Sequence, residues 1–99
     1  MNEPTNQQKN DNDEKSLNTI QAAVQKATEQ AYYDWAAAHP SLAGMIDRLV
    51  LTERTTESIR QSPEFRQALA GFYESQNELD LVNQLINLAG PILQKVLGM

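Results

Sequence analysis

Apolar residues from position 17 onward recur at spacings of three and four, which is the period of an amphipathic α-helix. Breaks in this period fall at prolines and at short polar segments, where helices commonly end or begin. The pattern therefore predicts an all-α fold, either a small bundle or an open array of four helices. We place these helices at residues 17–38, 41–52, 63–76 and 78–97.

Residues that commonly start helices precede the predicted segments. Ser16, Ser62 and Asn77 each carry a side-chain oxygen that can accept a hydrogen bond from a backbone N–H at a helix start. Pro40 and Pro63 are suited to the first helical position, where a missing N–H costs nothing. These signals make the starts of the third and fourth helices the best defined in the chain.

The second predicted helix and the segment after it differ in their content of apolar residues. Residues 52–61 are polar and β-branched with only a weak period, so a loop with one helical turn around Ile59 is expected there. The helix before this loop has an apolar stripe that should face the core. The stripe consists of Leu42, Met45, Ile46, Leu49 and Val50.

Met1 is the one apolar side chain in the first 16 residues. Such a composition cannot bury enough surface to offset the entropy of ordering, so residues 1–16 are predicted to be a disordered polar tail. The tail could be a solvated end with no task of its own, or a tether or short recognition segment. The helical domain would then span residues 17–99.

The last predicted helix carries the broadest apolar face of the chain. On a heptad that starts at Leu79, apolar residues fill positions a, d and g and most of position c. These positions cover roughly half of the helix circumference at about 100° per residue. One neighbouring helix needs only positions a and d, so this face can contact two neighbours. Both could lie within one monomer, or one could be a second copy, another protein or a membrane surface.

The part of this face that a single core would leave free is the expected partner-binding surface. Without the tail, about 83 residues remain, near the size at which a lone core rarely supplies more than about 3–5 kcal/mol. Proteins of this size commonly add disulfides, metals or subunits, and the chain has no cysteine. A homo-oligomer is therefore expected. The predicted binding residues are Leu81, Leu85, Leu88, Ile92 and Met99.

Two adjacent tyrosines are further candidates for binding a partner. Tyr32 and Tyr33 lie about 100° apart on the first predicted helix, so at least one of them should face outward. Trp35 continues the apolar stripe and is expected in the core. An exposed tyrosine beside a tryptophan is typical of the contact residues that dominate protein interfaces.

Glycines interrupt three of the predicted helices. Gly44 and Gly71 each cost about 1 kcal/mol relative to alanine inside a helix, so we interpret both as sites of close helix crossing. Gly90 is followed by Pro91, which removes one backbone hydrogen bond, so a kink or a restart is expected there. The bend could be a hinge for the last turn or a passive curve around the core.

The charge of the chain argues against nucleic acid as a partner. The 8 basic and 13 acidic residues give a formal net charge of −5, and an acidic protein repels phosphate backbones. A helix-turn-helix reader of DNA could be drawn over residues 41–61. Between His39 and Ala70, however, four arginines are offset by four acids. A small DNA-binding regulator is therefore the weakest of the alternatives.

A membrane surface is the other alternative partner. Surface-active helices usually carry lysine and arginine on their polar side, whereas Lys95 is the one basic residue of the last helix. No run approaches the roughly 18–20 apolar residues of a membrane-spanning helix. The first residues include acids where a signal peptide has a basic region, so we expect the cytoplasm as the compartment.

Residues that could support catalysis are sparse in this sequence. His39 is the one histidine, and zinc or haem sites need several convergent ligands. The glycines are too isolated to form a phosphate-binding loop. We therefore expect no cofactor, no metal and no enzymatic activity, and we interpret His39 as a junction residue that caps the second helix. The sequence predicts a non-catalytic helical protein–protein interaction module that self-associates or docks on a partner through its C-terminal helix.

Overall fold

The described part of the chain consists of α-helices and contains no β-strand. A computed structural model describes the backbone of residues 3–98 and the side chains of residues 14–98. The predicted all-α class is confirmed, although this part of the chain contains five helices where the sequence predicted four. They are α1 (Glu3–Ala38), α2 (Pro40–Ala43), α3 (Arg48–Gln61), α4 (Pro63–Ser75) and α5 (Glu78–Val96).

The first helix is longer than its apolar period predicted. α1 begins at Glu3, so Ser16 lies within the helix and is not its N-cap. The disordered tail predicted for residues 1–16 falls mainly on residues 1–13, which lie outside the described side chains. α1 ends at Ala38, as predicted, because proline disfavours helical geometry in the residue before it.

The predicted helix at residues 41–52 is wrong, because the chain breaks there into the four-residue α2 and a separate α3. Gly44 follows α2, and glycine is a poor helix former. Asp47 then caps α3, since its carboxylate accepts hydrogen bonds from the backbone N–H groups of Leu49 at 2.9 Å and Val50 at 3.3 Å. A strong capping residue therefore starts a new helix in the middle of the predicted one.

The loop predicted at residues 52–61 is also wrong, because α3 continues through it. Leu51, Thr55 and Ile59 are spaced one helical turn apart and form the buried face of this helix. The Thr55 hydroxyl donates a hydrogen bond to the backbone oxygen of Leu51 at 2.8 Å, which satisfies the buried polar group within the helix. A threonine thus occupies a core position, and this conceals the apolar period.

The predicted starts of the last two helices are confirmed. Ser62 Oγ accepts a hydrogen bond from the Phe65 N–H at 3.2 Å, and Asn77 Oδ1 accepts one from the Asp80 N–H at 3.0 Å. Each bond satisfies a backbone donor that has no partner inside its own helix. α5 continues through Pro91, so the restart expected there is not seen.

The centre of the core is occupied by α5. This helix makes its most extensive contacts with α1, and it also contacts α3 and α4. Three alanines of α1, Ala23, Ala27 and Ala31, are buried. The buried apolar residues are Ile20, Ala23, Val24, Ala27, Ala31, Trp35, Leu51, Ile59, Phe65, Ala68, Phe72, Leu81, Leu85, Ala89 and Leu93.

The close helix crossings predicted at Gly44 and Gly71 are wrong. Gly44 lies in the turn after α2, and a Cβ there would meet the backbone oxygens of Ser41 and Pro40 at ordinary contact distances. A Cβ on Gly71 would find none of the described atoms within 4 Å. Neither glycine is required for packing, so each leaves its segment less stable than alanine would.

Candidate interaction surface

The predicted partner-binding residues of α5 lie mainly against the protein's own core. Leu81 is 1% exposed and Leu85 is 0% exposed, so both are enclosed by the same molecule. Leu88 and Ile92 are half-buried and pack against that core. Met99 lies outside the described residues. Leu81 and Leu85, at the centre of this face, are therefore not accessible to a partner in the folded monomer, whereas Leu88 and Ile92 are accessible in part.

The width of the α5 face has an explanation within the monomer. The sequence predicted a face that can contact two neighbours, and three helices of the same molecule, α1, α3 and α4, contact α5. The most exposed apolar side chain of α5 is Leu79, at 70%, in its first turn. The alternative in which the neighbours of this face lie within one monomer therefore accounts for its width, with three neighbouring helices instead of two.

Exposed apolar side chains are concentrated around the break between α2 and α3. Met45 is 81% exposed and Leu49 is 70% exposed, while Leu42 and Val50 are exposed to a smaller extent. These four residues, which we call the junction segment, were predicted to face the core in one continuous helix. The break before α3 removes that stripe, and of the predicted set Ile46 packs against the core.

Arg48 connects the junction segment to the predicted tyrosine pair. Its guanidinium donates a hydrogen bond to Tyr33 Oη at 2.8 Å and lies 5.0 Å from the centre of the Tyr33 ring. It also lies 5.5 Å from the centre of the Tyr32 ring, within the range of a cation–π interaction. Tyr33 is exposed and Tyr32 is half-buried, which confirms that one member of the pair faces outward.

A groove of about 760 Å³ lies between α1 and α3. Thr28 and Thr56 join its two sides through a hydrogen bond of 3.2 Å between their hydroxyl oxygens, and Thr28 is itself buried. Arg48 and Leu49 line the groove, which therefore adjoins the junction segment. We call this feature the α1–α3 groove. Its lining consists of Gln21, Val24, Gln25, Thr28, Glu29, Arg48, Leu49, Thr52, Glu53, Thr56, Glu57 and Arg60.

Charges of both signs line the α3 side of this groove. Arg48 and Arg60 lie towards the two ends of the helix, and Glu53 and Glu57 lie between them. The charges on this side cancel, although the whole chain carries a net charge of −5. The groove therefore suits a partner surface that itself carries both signs of charge, rather than a polyanion.

His39 lies at the junction between α1 and α2, as predicted, but its side chain does not cap α2. Its ring stacks on Trp35 at 5.7 Å between ring centres, and its Nδ1 lies 3.2 Å from the Trp35 backbone oxygen. The side chain thus turns back towards α1. Trp35 is in the core, as predicted, and its Nε1 is buried without a hydrogen-bond partner among the described residues.

Among the side chains from residue 14 to residue 98, no cluster of three or more histidine, aspartate or glutamate residues could hold a metal ion. None of the helices in the described range is long and apolar enough to cross a membrane.

Comparisons of this chain with known proteins found no relative. No family model, no curated protein and no solved structure matches it.

Proposed function

We propose that this protein is a non-catalytic helical interaction module that binds protein through the junction segment and the adjoining α1–α3 groove. The observation that supports this proposal most strongly is the exposure of four apolar side chains within residues 42–50, with Met45 at 81% and Leu49 at 70%. Exposed apolar residues that are concentrated in one short segment and bordered by polar ones are typical of contact sites in small proteins.

The free energy of binding would come mainly from these apolar side chains. Complete burial of a leucine or methionine side chain contributes about 1.5–3 kcal/mol, so a partner that covers Met45 and Leu49 gains several kcal/mol. Tyr33 and Arg48 lie beside them and supply directed polar contacts. An apolar centre with a polar rim is the usual composition of a specific protein interface, and tyrosine and arginine are enriched at its strongest positions.

The two alternative functions find less support on this surface. Within residues 47–54, Asp47 and Glu53 offset Arg48 and Arg54, so this surface has no excess of positive charge that would attract anionic lipid. The α3 side of the groove carries as many acids as arginines, which leaves no excess of positive charge for a phosphate backbone. Protein is therefore the partner class that we propose.

Site-specific photo-crosslinking tests the proposal directly. Leu49→p-benzoyl-phenylalanine would be placed in the full chain, expressed in the cells that naturally make it, and irradiated. Leu79→p-benzoyl-phenylalanine is the matched control, because Leu79 is also a leucine that is 70% exposed, but it lies on α5. We expect Leu49 to give one or two discrete crosslinked species and Leu79 to give none.

The opposite pattern would contradict the proposal. Discrete products from Leu79 and none from Leu49 would return the interface to the end of α5. Only diffuse, non-specific products from both positions would show that neither surface holds a partner.

A further inference from the structure

The α3 side of the α1–α3 groove carries two arginines and two glutamates in an order that an antiparallel copy of the same helix can match. We infer that the occupant is α3 of a second copy of this chain, so that two molecules pair antiparallel about a two-fold axis. This inference rests on the proposed function, because it assigns the partner of the same surface. In this arrangement each α3 lies in the groove of the other copy and contacts both helices that form it.

Six of the α3 residues that line the groove are complementary to their own copies when two α3 helices lie antiparallel. When the axis passes between residues 52 and 53, Arg48 lies opposite Glu57 of the partner, Leu49 opposite Thr56 and Thr52 opposite Glu53. All six of these residues line the groove. A two-fold axis repeats each pair, so the dimer gains two Arg48–Glu57 ion pairs.

Leu49 and the number of matched groove residues favour this register over two others. An axis between residues 50 and 51 would pair Arg48 with Glu53 and Leu49 with Thr52 of the partner, but it matches four groove-lining residues with one another instead of six. An axis between residues 56 and 57 would pair Glu53 with Arg60 of the partner, but the residue opposite Leu49 would then be Glu64, which is in α4 and does not line the groove. The first register covers Leu49, which is 70% exposed in the monomer, with the partner's α3. The first register is therefore the one that covers Leu49, pairs opposite charges and matches six groove-lining residues with one another.

Arg48 can form the intermolecular ion pair without losing its contact within the monomer. A guanidinium carries five N–H donors, and one nitrogen of Arg48 already donates to Tyr33 Oη at 2.8 Å. The remaining donors can reach a carboxylate of the second molecule. The tyrosine pair then orients Arg48 towards the interface, which gives the exposed Tyr33 a role in the same surface.

The register also places one unfavourable contact at a defined position. Glu53 and its copy lie on either side of the axis, where two like charges repel each other. A Glu53→Gln substitution removes this repulsion and should therefore tighten the dimer. A purely structural role of Glu53 in the monomer gives no reason for such a gain.

Light scattering and analytical ultracentrifugation of the full chain over a micromolar concentration series provide the test. We expect a reversible monomer–dimer equilibrium for the natural chain. Arg48→Glu and Glu57→Arg should each raise the dimer dissociation constant about tenfold, because each change brings two pairs of like charges together. The double variant, which restores opposite charges with exchanged positions, should recover most of the affinity. Glu53→Gln should lower the dissociation constant.

Arg66→Glu is the matched control for the single charge reversals. Arg66 is exposed on α4 and is not among the groove-lining residues, so its reversal should leave the equilibrium unchanged. Circular dichroism of every variant verifies that the helices are intact. A monomer at all concentrations overturns the inference, and so does a dimer in which the two single reversals have no effect or the double variant fails to recover.

The same photo-crosslinking experiment separates this inference from the proposed function. A product from Leu49 at twice the mass of the chain supports both. A product with a different protein, together with a monomeric chain in solution, overturns the second-copy assignment and leaves the proposed function intact. The absence of discrete products from Leu49, together with a monomeric chain, contradicts both.

Discussion

Leu85 in α5 and Leu49 in α3 are the same type of residue, and in the sequence each belongs to a run of apolar residues with helical spacing. Leu85 is 0% exposed, whereas Leu49 is 70% exposed. The difference arises from their neighbours, because α5 lies among α1, α3 and α4 while the junction segment is interrupted before it can pack as one helix face. Helical spacing thus identifies side chains that share a face, but it does not determine whether the same chain covers that face.

The largest expected effect is the loss of stability on truncating Leu85, with the same truncation of Leu49 as the comparison. Leu85→Ala should lower the free energy of unfolding by about 2–5 kcal/mol, because it removes buried apolar contacts and leaves a cavity. Leu49→Ala should change it by less than about 0.5 kcal/mol, as for other surface substitutions. Urea unfolding of both variants at low protein concentration measures the difference. Equal losses would show that Leu49 is part of the core.

The contrast between α5 and α3 also shows what could be predicted from the sequence. Ser62 and Asn77 are strong local signals, because a capping side chain acts on backbone groups two or three residues away, and both predicted helix starts are confirmed. The helix α3 was missed because Thr55 occupies the middle of its buried face. A threonine hydroxyl can bond to its own helix, and composition alone does not reveal that it does so.

The candidate interaction surface was predicted only in part. Tyr32 and Tyr33 were predicted as a pair of candidate binding residues, because two adjacent residues on a helix cannot both face the core. Tyr33 is the exposed member of the pair. The junction segment was assigned to the core because Leu42 and Leu49 fit one continuous helical stripe. Asp47 was the signal that could have corrected this, since aspartate is a common N-cap and it directly precedes the new helix. Which helices cover α5 depends on the packing of the whole chain, which local spacing does not contain.

The break between α2 and α3 can itself be tested at its capping residue. Asp47→Ala should lower the free energy of unfolding by about 1 kcal/mol, because the N–H groups of Leu49 and Val50 lose their acceptor. Asp47→Asn is the matched control and should retain most of the stability, since asparagine caps about as well as aspartate. Chemical denaturation of the three proteins gives the values. A loss in the asparagine variant equal to that in the alanine variant would argue against a capping role.

The smallest expected effect is a gain in stability at an exposed helical glycine. Gly71→Ala should raise the free energy of unfolding by about 0.5–1 kcal/mol, because a Cβ there meets none of the described atoms and alanine favours the helix. Ala70→Gly, at the exposed neighbouring position of α4, should lower it by a similar amount. Thermal unfolding of both variants provides the comparison. A lower stability of Gly71→Ala would instead indicate that another helix packs closely against Gly71, as the sequence suggested.

Thiol labelling measures the contrast between the covered and the uncovered face most directly, because the natural chain has no cysteine. Leu49→Cys and Ala89→Cys each introduce one thiol, at a position that is 70% exposed and at one that is 0% exposed. At a protein concentration low enough for a monomer, Leu49→Cys should react with a maleimide at the rate of a free thiol. Ala89→Cys should react many times more slowly, through opening of the fold alone. Equal rates at the two positions would contradict the conclusion that this small chain covers the apolar face of its last helix by itself.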